Sequence, residues 1–176
     1  MTTANKITLL RAALIPVFLV LLYLNFRGAS YAAAAVFAIA SISDFVDGHI
    51  ARKYNQVTDF GKFMDPLADK VLVFSAITWF VGAGVIPVWV AVAVITREFA
   101  VTALRLVAAP KGVVIAAAKS GKIKTASTMV GLIILFLPIP DWFQIVVWCV
   151  ILVTTVYSGA EYFIRNRLVF KEAAIS

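Results

Sequence analysis

The sequence has few of the side chains that usually provide cross-links or nucleophiles. It contains 1 cysteine and 1 histidine among 176 residues, so an internal disulfide framework is excluded. Charged residues make up 14% of the chain, whereas soluble domains carry about 25%. Hydrophobic residues make up 62%, which is more than a water-soluble surface can conceal. We therefore expect the lipid bilayer to be the solvent of this chain.

Most of the sequence consists of long apolar stretches. A membrane span needs about 20 mostly apolar residues, and six stretches are candidates: 7–26, 31–46, 63–81, 86–109, 123–137 and 142–164. Because open strands cannot satisfy their backbone groups in lipid, we expect an all-α membrane protein with six transmembrane helices. No internal repeat or long linker interrupts the pattern, which predicts a single integral-membrane domain over residues 1–176.

The positive charges lie in alternate connections. The net charge of +7 would also suit a nucleic-acid partner, but the lysines and arginines flank the apolar runs. They lie before the first stretch, after the second, after the fourth and after the last, while the other connections hold only Arg27. This asymmetry follows the positive-inside rule and suits anionic lipid headgroups. It predicts that both termini are cytoplasmic and that nucleic acid is not a partner.

Four aspartates lie at helical spacing around the second connection. Asp44 and Asp47 are three residues apart, and Asp65 and Asp69 are four apart, so each pair shares one face of its helix. The polar connection between the two helices is short, which predicts that they are antiparallel neighbours. The four carboxylates are then expected to converge at the cytoplasmic ends of two adjacent spans.

Four converging carboxylates cannot all ionise in a low-dielectric pocket without cations. Oxygen-only ligands favour hard ions such as Mg²⁺, Mn²⁺ or Ca²⁺, and two ions about 4 Å apart are a common device for displacement at phosphorus. The simpler interpretation makes each aspartate a helix cap or a partner of Arg52, Lys62 or Lys70. That interpretation suffices for one aspartate, but it does not explain four at helical spacing with Gly48 and Gly61 beside them.

The segment that contains these aspartates resembles the signature of the CDP-alcohol phosphatidyltransferases. The pattern D-x-x-D-G-x-x-A-R-x8-G-x-x-x-D-x-x-x-D is matched without a departure at Asp44, Asp47, Gly48, Ala51, Arg52, Gly61, Asp65 and Asp69. The six-span pattern also matches that family's fold, so the resemblance extends over nearly the whole chain.

The resemblance implies a role for each signature residue. Two divalent metal ions, Mg²⁺ or Mn²⁺, are expected at Asp44, Asp47 and Asp65, with Asp69 touching the second ion. Asp69 is also expected to be the general base that takes the proton from the acceptor hydroxyl before CMP leaves. The CDP-lipid is expected to bind at Asp47, Gly48, Ala51, Arg52 and Gly61. The family resemblance further implies a homodimer.

Basic residues outside the signature bear on the identity of the acceptor alcohol. Arg97 and Glu98 lie near the middle of the fourth stretch, and ionisable residues inside a span are functional candidates. A neutral acceptor needs no group of buried cations, whereas a phosphate does. The predicted acceptor-phosphate-binding residues are Arg97, Arg105, Lys122 and Lys124. A purely structural ion pair at Glu98 stays open as an alternative.

Three local segments, MDPLADKVLV, REFAVTALRL and SGKIKTASTM, resemble bacterial phosphatidylglycerophosphate synthases. That resemblance implies CDP-diacylglycerol as donor and sn-glycerol 3-phosphate as acceptor, at the cytoplasmic side of the bacterial inner membrane. Two alternatives remain. A cardiolipin synthase of the same family would use phosphatidylglycerol and shares the DPLAD segment. A divalent-cation transporter would also need intramembrane carboxylates, but aspartates at one membrane edge favour a reaction at the lipid headgroup.

Overall fold

The chain is built from α-helices in the part that the structure describes. The computed structural model describes residues 3–24, 26–53, 59–109, 115 and 118–167, with side chains at all of these except 3–8, 44–53 and 59–63. No strand occurs in these ranges. The six helices are α1 (Thr3–Tyr23), α2 (Ala29–Lys53), α3 (Asp59–Gly82), α4 (Val88–Ala108), α5 (Lys119–Leu135) and α6 (Asp141–Arg165). Each of them overlaps one of the six apolar stretches, so the predicted number and order of helices are confirmed.

Glycines and prolines mark the connections between helices. Gly28 follows α1 and Gly84 follows α3, and their φ angles of +96° and +75° are ones that other residues rarely adopt. Pro87 and Pro140 stand directly before α4 and α6 with extended backbone. A proline at a helix start loses no hydrogen bond, because the first N–H groups of a helix have no partner within it.

The described chain divides into two compact units, of which the first comprises Met1–Gly82 and Leu132–Ile139. In this unit α1 packs against α2 and α3, and α2 contacts α3. Aromatic rings form its core, with centroids 4.6 Å apart between Phe80 and Phe136 and 5.7 Å apart between Phe18 and Phe37. This packing holds together the two helices that carry the signature aspartates.

The second unit comprises Ala83–Gly131 and Pro140–Ser176. Here α4 packs against α6, and Gly131 lets α5 approach Ile151 on α6 closely. The hydroxyls of Ser127 and Thr154 also form a hydrogen bond of 2.8 Å between these two helices. Small residues and interhelical hydroxyl pairs are the usual means by which helices pack in a bilayer, where the hydrophobic effect gives no drive for association.

We expect Gly131→Ala to destabilise the packing of α5 against α6. Its Cβ would lie 2.9 Å from Ile151 Cδ1 and 3.2 Å from Val147 Cγ1, so both side chains must shift. Overpacking of this kind costs about 1–3 kcal/mol, which lowers Tm by about 2–4 °C per kcal/mol in a chain of this size. Thermal unfolding in detergent measures the loss. The matched control is Gly82→Ala, whose Cβ would meet nothing within 4 Å; equal Tm values for the two variants would contradict the close approach.

One helix in the described part of the chain has both the length and the composition of a membrane span. This is α6, with a mean hydropathy of 1.8 in its most apolar window, while Leu9–Tyr23 and Ala29–Ser43 form shorter apolar helices. The fourth helix carries three charged residues, Arg97, Glu98 and Arg105, and α5 has only 17 residues. The all-α architecture is confirmed, whereas the crossing of a membrane by all six helices stays a prediction.

Candidate active site

The signature residues lie on two helices of the first unit that contact each other. Asp44 and Asp47 lie in the C-terminal half of α2, and Asp65 and Asp69 in the N-terminal half of α3. The side chains of the remaining signature positions and of the two α2 aspartates lie outside the described residues: Asp44, Asp47, Gly48, Ala51, Arg52 and Gly61. The convergence of all four carboxylates therefore stays a prediction.

The two aspartates of α3 have the burial expected of metal ligands. Asp65 and Asp69 are one helical turn apart and both are half-buried, and Oδ1 of Asp69 is buried. They lie beside core residues, since Ala68 is 3% and Leu72 1% exposed. Carboxylate oxygens at the edge of an apolar core suit a hard divalent ion, which offsets their charge. Among described side chains no group of three metal-ligating residues occurs, and the side chains of Asp44 and Asp47 are outside that set.

A second polar cluster lies in the second unit, on α4, α5 and α6. Oε1 of Glu98 accepts hydrogen bonds from Nη1 of Arg97 at 2.8 Å and from Nζ of Lys124 at 2.6 Å. The side chains of Lys124 and Arg97 are only 4% and 11% exposed. Burying a charge is costly unless it is paired, so Glu98 explains how two cations remain inside the helix packing. The structural ion pair at Glu98, which was one of the two interpretations of the sequence, is thus present.

Helix α6 supplies polar partners to both arginines of α4. Oγ of Ser158 accepts a hydrogen bond of 2.6 Å from Nη2 of Arg97. The hydroxyl of Tyr162 accepts one from Nη2 of Arg105. The centroid of the Tyr162 ring lies 5.7 Å from the guanidinium carbon of Arg97 and 5.4 Å from that of Arg105, within the range of cation–π attraction.

This cluster carries an excess of positive charge and a spare donor. Arg97, Arg105 and Lys124 provide three cations, and Glu98 provides one anion, which leaves a net charge of +2. Nε of Arg97 is buried and has no hydrogen-bond partner among the described residues. An unsatisfied buried donor costs about 1–3 kcal/mol. A ligand with several anionic oxygens would supply both the missing charge and the missing acceptor.

The structure brings together three of the four predicted acceptor-phosphate residues. Arg97, Arg105 and Lys124 belong to the cluster, while Lys122 is exposed on α5. Residues two apart on a helix do not face each other, so Lys122 and the buried Lys124 leave α5 on different faces. Binding of an acceptor phosphate by these residues stays a prediction.

Three residues of α6 that the sequence does not single out also shape the cluster. Besides Ser158 and Tyr162, Gly159 makes room for Arg97, since a Cβ at position 159 would lie 3.2 Å from Cγ of that arginine. The available signal was a serine, a glycine and a tyrosine within one turn of an otherwise apolar run. That pattern indicates a polar face on α6 but does not say which helix it meets.

Comparison with known proteins agrees with the signature. The sequence model of the CDP-alcohol phosphatidyltransferase family matches residues 1–156. A CDP-diacylglycerol–glycerol-3-phosphate 3-phosphatidyltransferase of Bacillus subtilis is 43% identical, over 92% of this chain and 93% of the relative. A probable phosphatidylglycerophosphate synthase of Mycobacterium tuberculosis is 40% identical, over 92% of this chain and 80% of the relative. A CDP-diacylglycerol–glycerol-3-phosphate 3-phosphatidyltransferase of Salmonella typhimurium is 40% identical over 92% of each chain. The chain therefore belongs to the CDP-alcohol phosphatidyltransferase family.

Proposed function

We propose that this protein transfers the phosphatidyl group of CDP-diacylglycerol to sn-glycerol 3-phosphate, giving phosphatidylglycerophosphate and CMP. Membership of the family supports the donor chemistry, and relatives at 40–43% identity carry names with the same acceptor. The observation that carries the acceptor assignment is the cluster of Arg97, Arg105 and Lys124, in which positive charge exceeds negative.

The charge of the cluster suits a phosphate monoester. Such a group carries about −1.5 to −2 at pH 7 and offers three strong acceptor oxygens. The net charge of +2 on the cluster is therefore nearly balanced by one bound phosphate. A neutral alcohol such as glycerol or inositol carries no charge to balance this excess.

The aspartates would provide the metal site of this reaction. Asp44, Asp47, Asp65 and Asp69 would hold two Mg²⁺ or Mn²⁺ ions, and the described oxygen donors of Asp65 and Asp69 fit such hard ions. When bound, these ions offset the charge that develops on the pyrophosphate oxygens. The cytidine diphosphate part of the donor would lie against the signature residues Asp47, Gly48, Ala51, Arg52 and Gly61.

Asp69 would start the transfer by accepting a proton. Its carboxylate takes the proton of the acceptor hydroxyl, and that oxygen forms a new bond to the lipid-side phosphorus of CDP-diacylglycerol. The bond from this phosphorus to the bridging oxygen breaks, and CMP leaves with the bonding electrons. Arg97, Arg105 and Lys124 would bind the phosphate of the acceptor, and a bound acceptor loses less entropy on reaction than a free one.

We also propose that the six helices cross the bacterial inner membrane as one domain, with both termini and the reaction on the cytoplasmic side. Many large apolar side chains are exposed on the helices, among them Leu106 at 68%, Val153 at 65% and Ile164 at 69%. Exposed apolar surface of this extent suits a lipid environment rather than water. The basic residues in alternate connections support the orientation, and the resemblance to the family supports a homodimer.

The test of the proposed function is an acceptor panel with purified protein. CDP-diacylglycerol is supplied with sn-glycerol 3-phosphate, glycerol, inositol or phosphatidylglycerol, and CMP release is measured with Mg²⁺ or Mn²⁺ and with excess chelator. Of the four acceptors, we expect only sn-glycerol 3-phosphate to support CMP release from CDP-diacylglycerol. This release should stop when the chelator removes the metal ions.

Other outcomes of this panel would reassign the protein. CMP release with phosphatidylglycerol, and not with sn-glycerol 3-phosphate, would make it a cardiolipin synthase. Metal flux into proteoliposomes without any CMP release would favour a divalent-cation transporter.

A further inference from the structure

We propose that Tyr162 is a positioning residue that contacts both Arg97 and Arg105 and orients Arg105 for the phosphate of the acceptor. The inference rests on the proposed function, because it concerns the same reaction. It assigns to α6 a part in the choice between a phosphorylated acceptor and a neutral one.

The two arginines are not neighbours on their own helix. Arg97 and Arg105 are eight residues apart on α4, which corresponds to about 12 Å along the helix axis. The ring of Tyr162 nevertheless lies within cation–π distance of both, at 5.7 Å and 5.4 Å. One side chain of α6 therefore contacts two like charges that lie more than two turns apart on α4.

The tyrosine hydroxyl is hard to explain as part of an apolar core. Tyr162 is 2% exposed and packs among hydrophobic residues, namely Val101, Leu104 and Ala108. Phenylalanine would fill this space without the need to satisfy a buried hydroxyl, whose burial costs free energy unless it is hydrogen-bonded. The hydroxyl is satisfied by Arg105. The hydroxyl therefore links this apolar core to a charged side chain of α4.

The two arginines depend on Tyr162 to different degrees. Arg97 is also held by Glu98 at 2.8 Å and by Ser158 at 2.6 Å. For Arg105, the hydrogen-bond partner among the described residues is Tyr162. A long, exposed arginine without such a contact samples many rotamers, and ordering it on binding costs conformational entropy. Tyr162 orders Arg105 before the acceptor arrives, so loss of its hydroxyl should weaken acceptor binding specifically.

The experiment compares the kinetics of Tyr162→Phe and Tyr162→Leu with those of the wild-type protein. We expect Tyr162→Phe to raise KM for sn-glycerol 3-phosphate about tenfold, near the upper end of the effect of ordering one long side chain on binding. Tyr162→Leu also removes the ring and should raise this KM roughly thirtyfold. The KM for CDP-diacylglycerol should stay within about twofold, because the donor binds elsewhere in the proposed mechanism. Tyr157→Phe is the matched control, since Tyr157 lies on the same helix and is 66% exposed.

A double-mutant cycle separates positioning from a general structural role. If Tyr162 acts through Arg105, then Tyr162→Phe should add less than about twofold to KM in an Arg105→Ala background. Additive effects of the two substitutions would overturn the proposal, and so would equal changes in KM for both substrates. An unchanged KM in Tyr162→Phe, a variant that keeps the ring and its packing, would overturn it as well.

Failure of the inference and failure of the proposed function give different results. If wild-type protein releases no CMP with sn-glycerol 3-phosphate, the proposed function is wrong and the role of Tyr162 is lost with it. If the wild-type protein is active and Tyr162→Phe matches it for both substrates, only the role of Tyr162 is wrong.

Discussion

Asp69→Asn is expected to lower kcat for CMP release by about 10²–10⁴-fold, the usual contribution of a general base. The amide has the size of the carboxylate but cannot accept the proton of the acceptor hydroxyl. Binding of CDP-diacylglycerol should change little, because in our proposal the nucleotide part is held mainly by other signature residues. Single-turnover CMP release and a separate binding measurement with labelled CDP-diacylglycerol distinguish the two effects.

The matched control for this variant is Asp141→Asn. Asp141 is an exposed aspartate in the first turn of α6 and lies outside the signature. It should keep a normal rate, which shows that loss of a carboxylate as such is tolerated. A rate within about threefold of wild type in Asp69→Asn would refute its role as base, since general-base catalysis contributes far more than this factor.

Lys124→Ala is expected to raise KM for sn-glycerol 3-phosphate about 100-fold, within the range for a lost charge-assisted hydrogen bond. The side chain of Lys124 is 4% exposed and donates to Glu98 at 2.6 Å. Its removal deletes one cation from the cluster, so that Arg97 becomes the remaining described cation that pairs with Glu98. The carboxylate then competes more strongly with the acceptor phosphate for the guanidinium. Steady-state kinetics with each substrate varied in turn measures this effect.

Lys119→Ala is the control, because Lys119 is an exposed lysine at the start of the same helix. It should leave both KM values near those of the wild-type protein. A similar rise in KM for both substrates in Lys124→Ala would show that Lys124 stabilises the protein generally and does not select the acceptor. Lys124→Met keeps the length of the side chain without its charge, and it should reproduce the kinetic effect with less disturbance of the packing.

The aspartate site is the part that the sequence predicts best. Its residues lie within 26 positions on two neighbouring helices, so helical spacing alone places each pair on one face. The number of helices could likewise be read from apolar runs, because the run lengths exceed what any strand requires. The predictions of the aspartate faces and of the number of helices use only the local spacing of residues, which can be read directly from the sequence.

The cation cluster was predictable only in part. Arg97 and Lys124 stand out because charges inside apolar stretches are rare. Their partner Ser158 is 61 residues from Arg97, and Tyr162 is 57 residues from Arg105. Such pairings depend on how α6 packs against α4, which no local pattern encodes. By composition, the charged residues of α4 make it less apolar than a typical membrane span. The same tertiary contacts pair these charges with partners on other helices.

Gly159 makes the polar cluster around Arg97 sensitive to side-chain volume as well as to charge. The aliphatic stem of Arg97 passes so close that a Cβ at position 159 would lie 3.2 Å from its Cγ. A methyl group there would force that stem to give way by a few tenths of an ångström, although it adds no charge. In the proposed function, a purely steric change such as Gly159→Ala would therefore alter the binding of the acceptor phosphate.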